Sequence, residues 1–165
     1  MSPLAVRNPY DNADDDDARS GEGDDGPSVV DRPLLTEIDH VAIAVHDLGD
    51  AIDTYRETFG AVVEHREVVE SDGVEEALLR VAESYVQLLT PTSEDSPVAK
   101  YLERKGEGVH HIAYRVESCA EALAAVKAQG HAVIDEEPRP GSRGTTVAFI
   151  HPKAICGTLI ELVEE

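Results

Sequence analysis

Two histidines in this chain stand in the same place of a repeated phrase. Ile38-Asp39-His40-Val41-Ala42-Ile43-Ala44-Val45 returns as Val109-His110-His111-Ile112-Ala113-Tyr114-Arg115-Val116. Each half closes with an aliphatic strand that carries one amide or acid, Gln87 in Val86-Gln87-Leu88-Leu89 and Glu161 in Ile160-Glu161-Leu162-Val163. Two imidazoles, an amide oxygen and a carboxylate brought to matching places by a duplication read as one divalent-metal site. The mixed N/O donor set, with no Cys, suits Co²⁺, Mn²⁺, Ni²⁺ or Zn²⁺ rather than copper(I) or an iron–sulfur centre. Four protein donors on a six-coordinate ion leave two places for substrate or water.

The repeat itself selects between the adjacent histidines. His110 and His111 point to opposite faces of an ideal strand. Aligning the two phrases makes His111 the ligand and sends His110 to the helix side or the rim. The base is sought on the strand at 75–82. Ala77, Leu79 and Val81 form an apolar face that packs on a helix, so Glu76, Leu78 and Arg80 share the cavity face. Glu76 is therefore the candidate general base, and Glu75 points the other way.

The elements that position these residues follow from period and punctuation. A strand over 38–45 leads to a helix capped by Asp47, with Asp50 in its first turn and Leu48, Ile52, Tyr55 and Phe59 as a buried stripe. Gly60 ends it. Strands are expected near 62–69, 75–82 and 85–90, and a short helix around 98–104. The second half repeats the order: a strand at 109–116, then a helix capped by Ser118 with Leu123 and Val126 inside. That helix ends at Gly130, and strands follow near 131–135, 145–150 and 158–163. The fold class is α+β: two βαβββ modules, about 36–92 and 108–165, forming paired curved sheets around a metal-binding cup. Residues 1–34, with Asp14-Asp15-Asp16-Asp17 and several glycines, have no apolar periodicity and read as an acidic disordered tail. The domain is 35–165.

Composition narrows the function classes. The 165 residues hold 34 acids against 14 bases, a formal net charge of −20. Such a surface repels nucleic acid and anionic membrane, and it resembles that of proteins from a high-salt cytoplasm. No apolar run reaches the ~20 residues of a membrane span, and no signal peptide is visible, so the expected location is cytoplasmic. Cys119 and Cys156 fit no metal or disulfide spacing and are expected to be buried thiols.

Five segments carry a more specific likeness: Ile38-Asp39-His40-Val41-Ala42, Asp95-Ser96-Pro97-Val98-Ala99-Lys100-Tyr101-Leu102, Gly108-Val109-His110-His111-Ile112-Ala113, Phe149-Ile150-His151-Pro152-Lys153 and Gly157-Thr158-Leu159-Ile160-Glu161-Leu162. With these the chain resembles the methylmalonyl-CoA epimerases of the vicinal-oxygen-chelate superfamily over about 36–165. The resemblance places metal ligands at His40, Gln87, His111 and Glu161 for one divalent ion per chain, Co²⁺ first, and a proposed base at Glu76. It implies interconversion of (R)- and (S)-methylmalonyl-CoA by proton abstraction at C2 through a metal-stabilised enolate, in a homodimer. The second proton carrier is Glu161 or a metal-bound water. CoA is itself anionic, and the nearby cations are Arg80, Arg115, Arg143 and Lys153. A glyoxalase I-type isomerase of a thiol adduct, an extradiol dioxygenase and a non-catalytic small-molecule binding module of the same fold are the rivals.

Overall fold

In a computed structural model, residues 32–165 are described. The expectation for the tail therefore lies, up to residue 31, outside the described residues.

The first half runs β1 (Leu35–Ala44), α1 (Leu48–Phe59), β2 (Val63–Val69), β3 (Val74–Val81) and β4 (Ser84–Pro91). A connecting helix α2 (Pro97–Lys105) leads to the second half. This has β5 (Gly108–Val116), α3 (Cys119–Ala128), the two-residue β6 (Arg139–Pro140), a single 3₁₀ turn at Ser142–Gly144, β7 (Thr146–Ile150) and β8 (Ile160–Glu164). The helix boundaries obey their caps. Asp47 accepts a hydrogen bond from the Asp50 amide at 2.8 Å, and Gly60 closes α1 in the left-handed region at φ 67°. Ser118 accepts from the Glu121 amide at 3.3 Å. The Asp-Ser-Pro segment is a helix start: Ser96 caps α2 and Pro97 stands at its first position, where its missing N–H costs nothing.

The two modules share one sheet. The strand order is β2-β3-β4-β1-β5-β8-β7-β6, with β1 and β5 antiparallel at the centre. On either side the closing strand lies parallel to the opening one, β4 beside β1 and β8 beside β5. The halves are thus related by a pseudo-twofold between β1 and β5, where His40 faces Ala113 and His111 faces Ala42. The expected pair of curved sheets is joined edge to edge, because the central strands leave no free edge between them.

Alternation then sorts the faces. On one side Val45, Ala77, Leu79 and Leu88 pack against Leu48, Ile52 and Tyr55 of α1. Across the twofold, Val116, Ala148, Ile150 and Leu162 pack against Cys119, Leu123 and Val126 of α3. The opposite face is the cup. The small Ala42 and Ala44 leave room above them, and α2 fills it with Val98 and Leu102.

Four expectations need correction. Phe59, at 72 % exposed, and Val81, at 55 %, lie off the core, because each ends its element beyond the reach of the packed layer. The strand near 131–135 reduces to a bridge between Val133 and Ile150, with β6 formed later at Arg139–Pro140. Cys119 is buried, but Cys156 is exposed in a turn at φ 49°, so only one thiol fits the buried reading.

Candidate active site and metal centre

Four polar side chains meet on the floor of the cup because the register puts them there. Gln87 pairs with Ala42 and Glu161 pairs with Ala113. Ala42 and Ala113 are themselves repeat-equivalent, each two residues past its histidine. Among the donors, His40 Nε2 and His111 Nε2 are 3.2 Å apart, and each lies 3.1 Å from Glu161 Oε2. All four residues are buried. That spacing suits donors sharing one ion with bonds of about 2.0–2.3 Å.

The rest of each side chain is held from behind. His40 Nδ1 is 2.7 Å from Asp39 Oδ1. Asp39 is fully buried and takes further hydrogen bonds from Arg115 Nε and Arg143 Nη2, both at 2.8 Å. His111 Nδ1 is 2.9 Å from His110 Nδ1. In both imidazoles a partner on Nδ1 leaves Nε2 aimed at the centre, the pattern of orienting partners around metal-bound histidine. Gln87 donates from Nε2 to Glu76 Oε2 at 2.6 Å, while its carbonyl Oε1 is buried with no hydrogen-bond partner among the described residues. An orphaned buried carbonyl beside three converging donors fits a fourth ligand.

The charges follow from these contacts. Burial pushes Asp39 up, but its hydrogen bonds to His40 and Arg115 and the Arg143 charge outweigh it, to about 2. Burial pushes His40 down, and the hydrogen bonds and charges of Asp39 and Glu161 carry it up to about 9. His111 is lowered by burial, against the pull of Glu161. Glu161, despite its burial, is held well below the usual carboxylate range by its hydrogen bonds to the two imidazoles. Without an ion, the cluster therefore keeps a proton on His40 that a metal would displace.

Glu76 is where its strand face predicts: 3 % exposed and on the cup side, whereas Glu75 turns outward to Arg66 at 2.8 Å. Burial raises the Glu76 carboxyl and the Glu67 charge adds to this, while the nearby Ser142 hydroxyl and the His40 charge oppose it. His110 departs from simple alternation. Between His111 and Val109 the β1–β5 register slips, so His110 is the extra residue of a bulge. Its ring turns to the rim of the cleft, edge-on to Tyr101 at 5.0 Å, and burial lowers its pKa to about 4.

Sequence reasoning missed several residues. A cleft of about 200 Å³ opens above Gln87, His111 and Glu161, with Val74, Leu89 and Phe149 among its apolar walls. Asp72 and Arg139, from opposite halves, also line it and form an ion pair at 2.9 Å. Ser142 was not singled out either. Its only signal was the Gly141-Ser142-Arg143-Gly144 turn, read for its arginine. Of the expected cations, Arg115 and Arg143 are committed to Asp39, and Arg80 to Glu64 and Glu83 on the outside.

A family model for the glyoxalase/bleomycin resistance protein/dioxygenase superfamily matches residues 39–149. The chain belongs to that superfamily. Within the superfamily its relatives include several epimerases. The ethylmalonyl-CoA/methylmalonyl-CoA epimerase of Cereibacter sphaeroides is 38 % identical over 131 residues, covering 78 % of this chain and 98 % of the relative. A variant of the Streptomyces coelicolor methylmalonyl-CoA epimerase, solved with 2-nitronate-propionyl-CoA, is 45 % identical, with a TM-score of 0.77 over 79 % of this chain and 98 % of that one. A methylmalonyl-CoA epimerase solved with methylmalonyl-CoA and ammonium is 46 % identical, with a TM-score of 0.77 over 79 % and 95 %. This superfamily member is placed among the methylmalonyl-CoA epimerases, as its repeated histidine strands and closing Leu-Ile-Glu-Leu suggested.

Proposed function

We propose that the chain interconverts (R)- and (S)-methylmalonyl-CoA with one divalent ion held by His40, Gln87, His111 and Glu161. The observation that carries the reading is the placement of Glu76. A carboxylate raised by burial, with one oxygen unpartnered among the described residues, accepts from the Gln87 amide, whose own carbonyl is left free for the ion. Such a group is suited to take a proton, and its raised pKa brings it closer to working pH. The bound ion supplies positive charge where negative charge develops on the substrate's oxygens.

Glu76 removes the C2 proton from one face. The C–H bond breaks, its electron pair delocalises into the thioester as an enolate, and Glu76 becomes a neutral acid. Return of a proton to the opposite face completes inversion. Glu161 is the proposed carrier there, its Oε2 shared by the two imidazoles. Its lowered pKa suits a ligand better than an acid, so a water reaching the same face is the other carrier. Gln87, by donating to Glu76, fixes the carboxylate against the floor. The apolar walls from Val74, Leu89 and Phe149 exclude water from the reacting carbon. A homodimer is proposed from the resemblance to the epimerases. Exchange of the C2 proton of methylmalonyl-CoA with solvent deuterium is the test: it should depend on the bound ion and fall sharply in Glu76→Gln, and exchange undiminished in that variant would overturn the reading.

A further inference from the structure

A second set of donor atoms lies beside the first, on the outer strands of the same half. Glu67 on β2 pairs directly with Glu76 on β3, and His65 stands two residues before Glu67, on the same face. One donor atom from each of His65, Glu67 and Glu76 lies within 4.8 Å of the other two. His65 Nε2 is 3.3 Å from Glu67 Oε2. Two atoms of this set are buried without a hydrogen-bond partner among the described residues, His65 Nε2 and Glu76 Oε1. Glu76 is 3 % exposed, so its lone oxygen has no solvent to satisfy it. The other Glu67 oxygen, Oε1, accepts from the Arg143 amide at 3.0 Å, which fixes the carboxylate.

Two carboxylates facing one another across a ladder repel, and the net charge of −20 around them does nothing to relieve this. An ion between them would meet the orphaned imidazole nitrogen, the orphaned carboxylate oxygen and the like-charge pair together. One imidazole and two carboxylates make a donor set for zinc-like divalent ions, with water completing the shell.

We propose that His65, Glu67 and Glu76 form a second divalent-cation site, and that an ion there takes Glu76 out of service as a base. The second half of this statement rests on the proposed function. The first does not. Excess metal then inhibits the protein that one ion activates, because Glu76 belongs to both the site and the reaction. Nothing in the second module matches this set, since β6 is too short to carry a His-x-Glu face opposite β7.

The experiment is a zinc titration of the full chain, stripped of metal and followed by calorimetry and equilibrium dialysis, with turnover measured on the same samples. Two Zn²⁺ ions per chain are expected for the unmodified protein. One is expected for His65→Ala, and one for Glu67→Gln, which keeps an acceptor for the Arg143 amide and removes only the charge. Circular dichroism confirms that each variant is folded. Turnover of the unmodified chain should fall at least tenfold as the second ion binds, and zinc should no longer inhibit either variant. Saturation of the unmodified chain at one ion, or a second ion surviving in both variants, would overturn the site and leave the proposed function untouched. A second ion lost in the variants but without effect on turnover would overturn the assignment of Glu76 as the base.

Discussion

His111 and His110 differ by one position and by what their nitrogens face. His111 Nε2 lies 3.1 Å from Glu161 Oε2, whereas His110 touches the cluster only through His111 Nδ1. Replacing His111 by Ala should remove the tight metal-binding step in a calorimetric titration. Replacing His110 by Ala removes only an orienting partner, and affinity should fall by about ten- to hundredfold with the step still present. Equal loss in both would mean that the wrong histidine has been made the ligand. His40 gives a pH signature in the metal-free chain. Its pKa is raised from 6.5 to about 9, so its contribution to stability is complete below about pH 6.5 and is lost as pH rises through 9. The amount is of order 3 kcal/mol. Thermal midpoints of chelator-treated protein should fall across that window. Asp39→Asn removes a main cause of the shift and should flatten the fall, and an equally steep fall in that variant would contradict the attribution.

At the scale of elements, the turn between β6 and β7 is where the second half reaches the base of the first. The Arg143 amide hydrogen-bonds Glu67, and Ser142 beside it stands near Glu76. Gly141 permits the approach: a Cβ there would stand 2.5 Å from Val147 Cγ1 and 2.8 Å from Thr145 Oγ1. Gly141→Ala should therefore cost about 1–3 kcal/mol in thermal unfolding. It should also lower turnover by moving Ser142, and a midpoint and rate like those of the parent would show that the turn adapts freely. This turn was the part least legible in the sequence. Strands β1, β3, β4, β5 and β8 and their faces could be read from alternation, and α1 and α3 from their caps. The repeat alone puts His40, Gln87, His111 and Glu161 in matching places. What could not be read depends on contacts between distant segments. The bulge that turns His110 to the rim is set by pairing with β1. The weak strand near 131–135 has local alternation but little ladder to join. Asp72 and Arg139 meet only once the two halves close over the cleft.

For the whole molecule, the dominant fact is a net charge of −20 on a chain proposed to bind an anionic thioester. Self-repulsion of this size is screened within about 10 Å at 0.1 M salt and within about 3 Å at 1 M. Thermal midpoint and turnover should both rise between dilute buffer and molar KCl, and a protein equally stable in dilute buffer would refute the high-salt reading of the surface. The family is established by the match over 39–149 and by relatives covered almost end to end, so the remaining weight falls on the chemistry. The central claim is that Glu76 moves the C2 proton beside an ion held by the four ligands. The most direct measurement is deuterium entry at C2 of methylmalonyl-CoA in D₂O, for the metal-loaded chain, the chelated chain, Glu76→Gln and Glu75→Gln. The account predicts rapid entry in the loaded chain and near-complete loss on chelation. It predicts a loss of about 10²–10⁴-fold in Glu76→Gln with metal still bound, and little change in Glu75→Gln. Undiminished exchange in Glu76→Gln, or exchange indifferent to chelation, would contradict it.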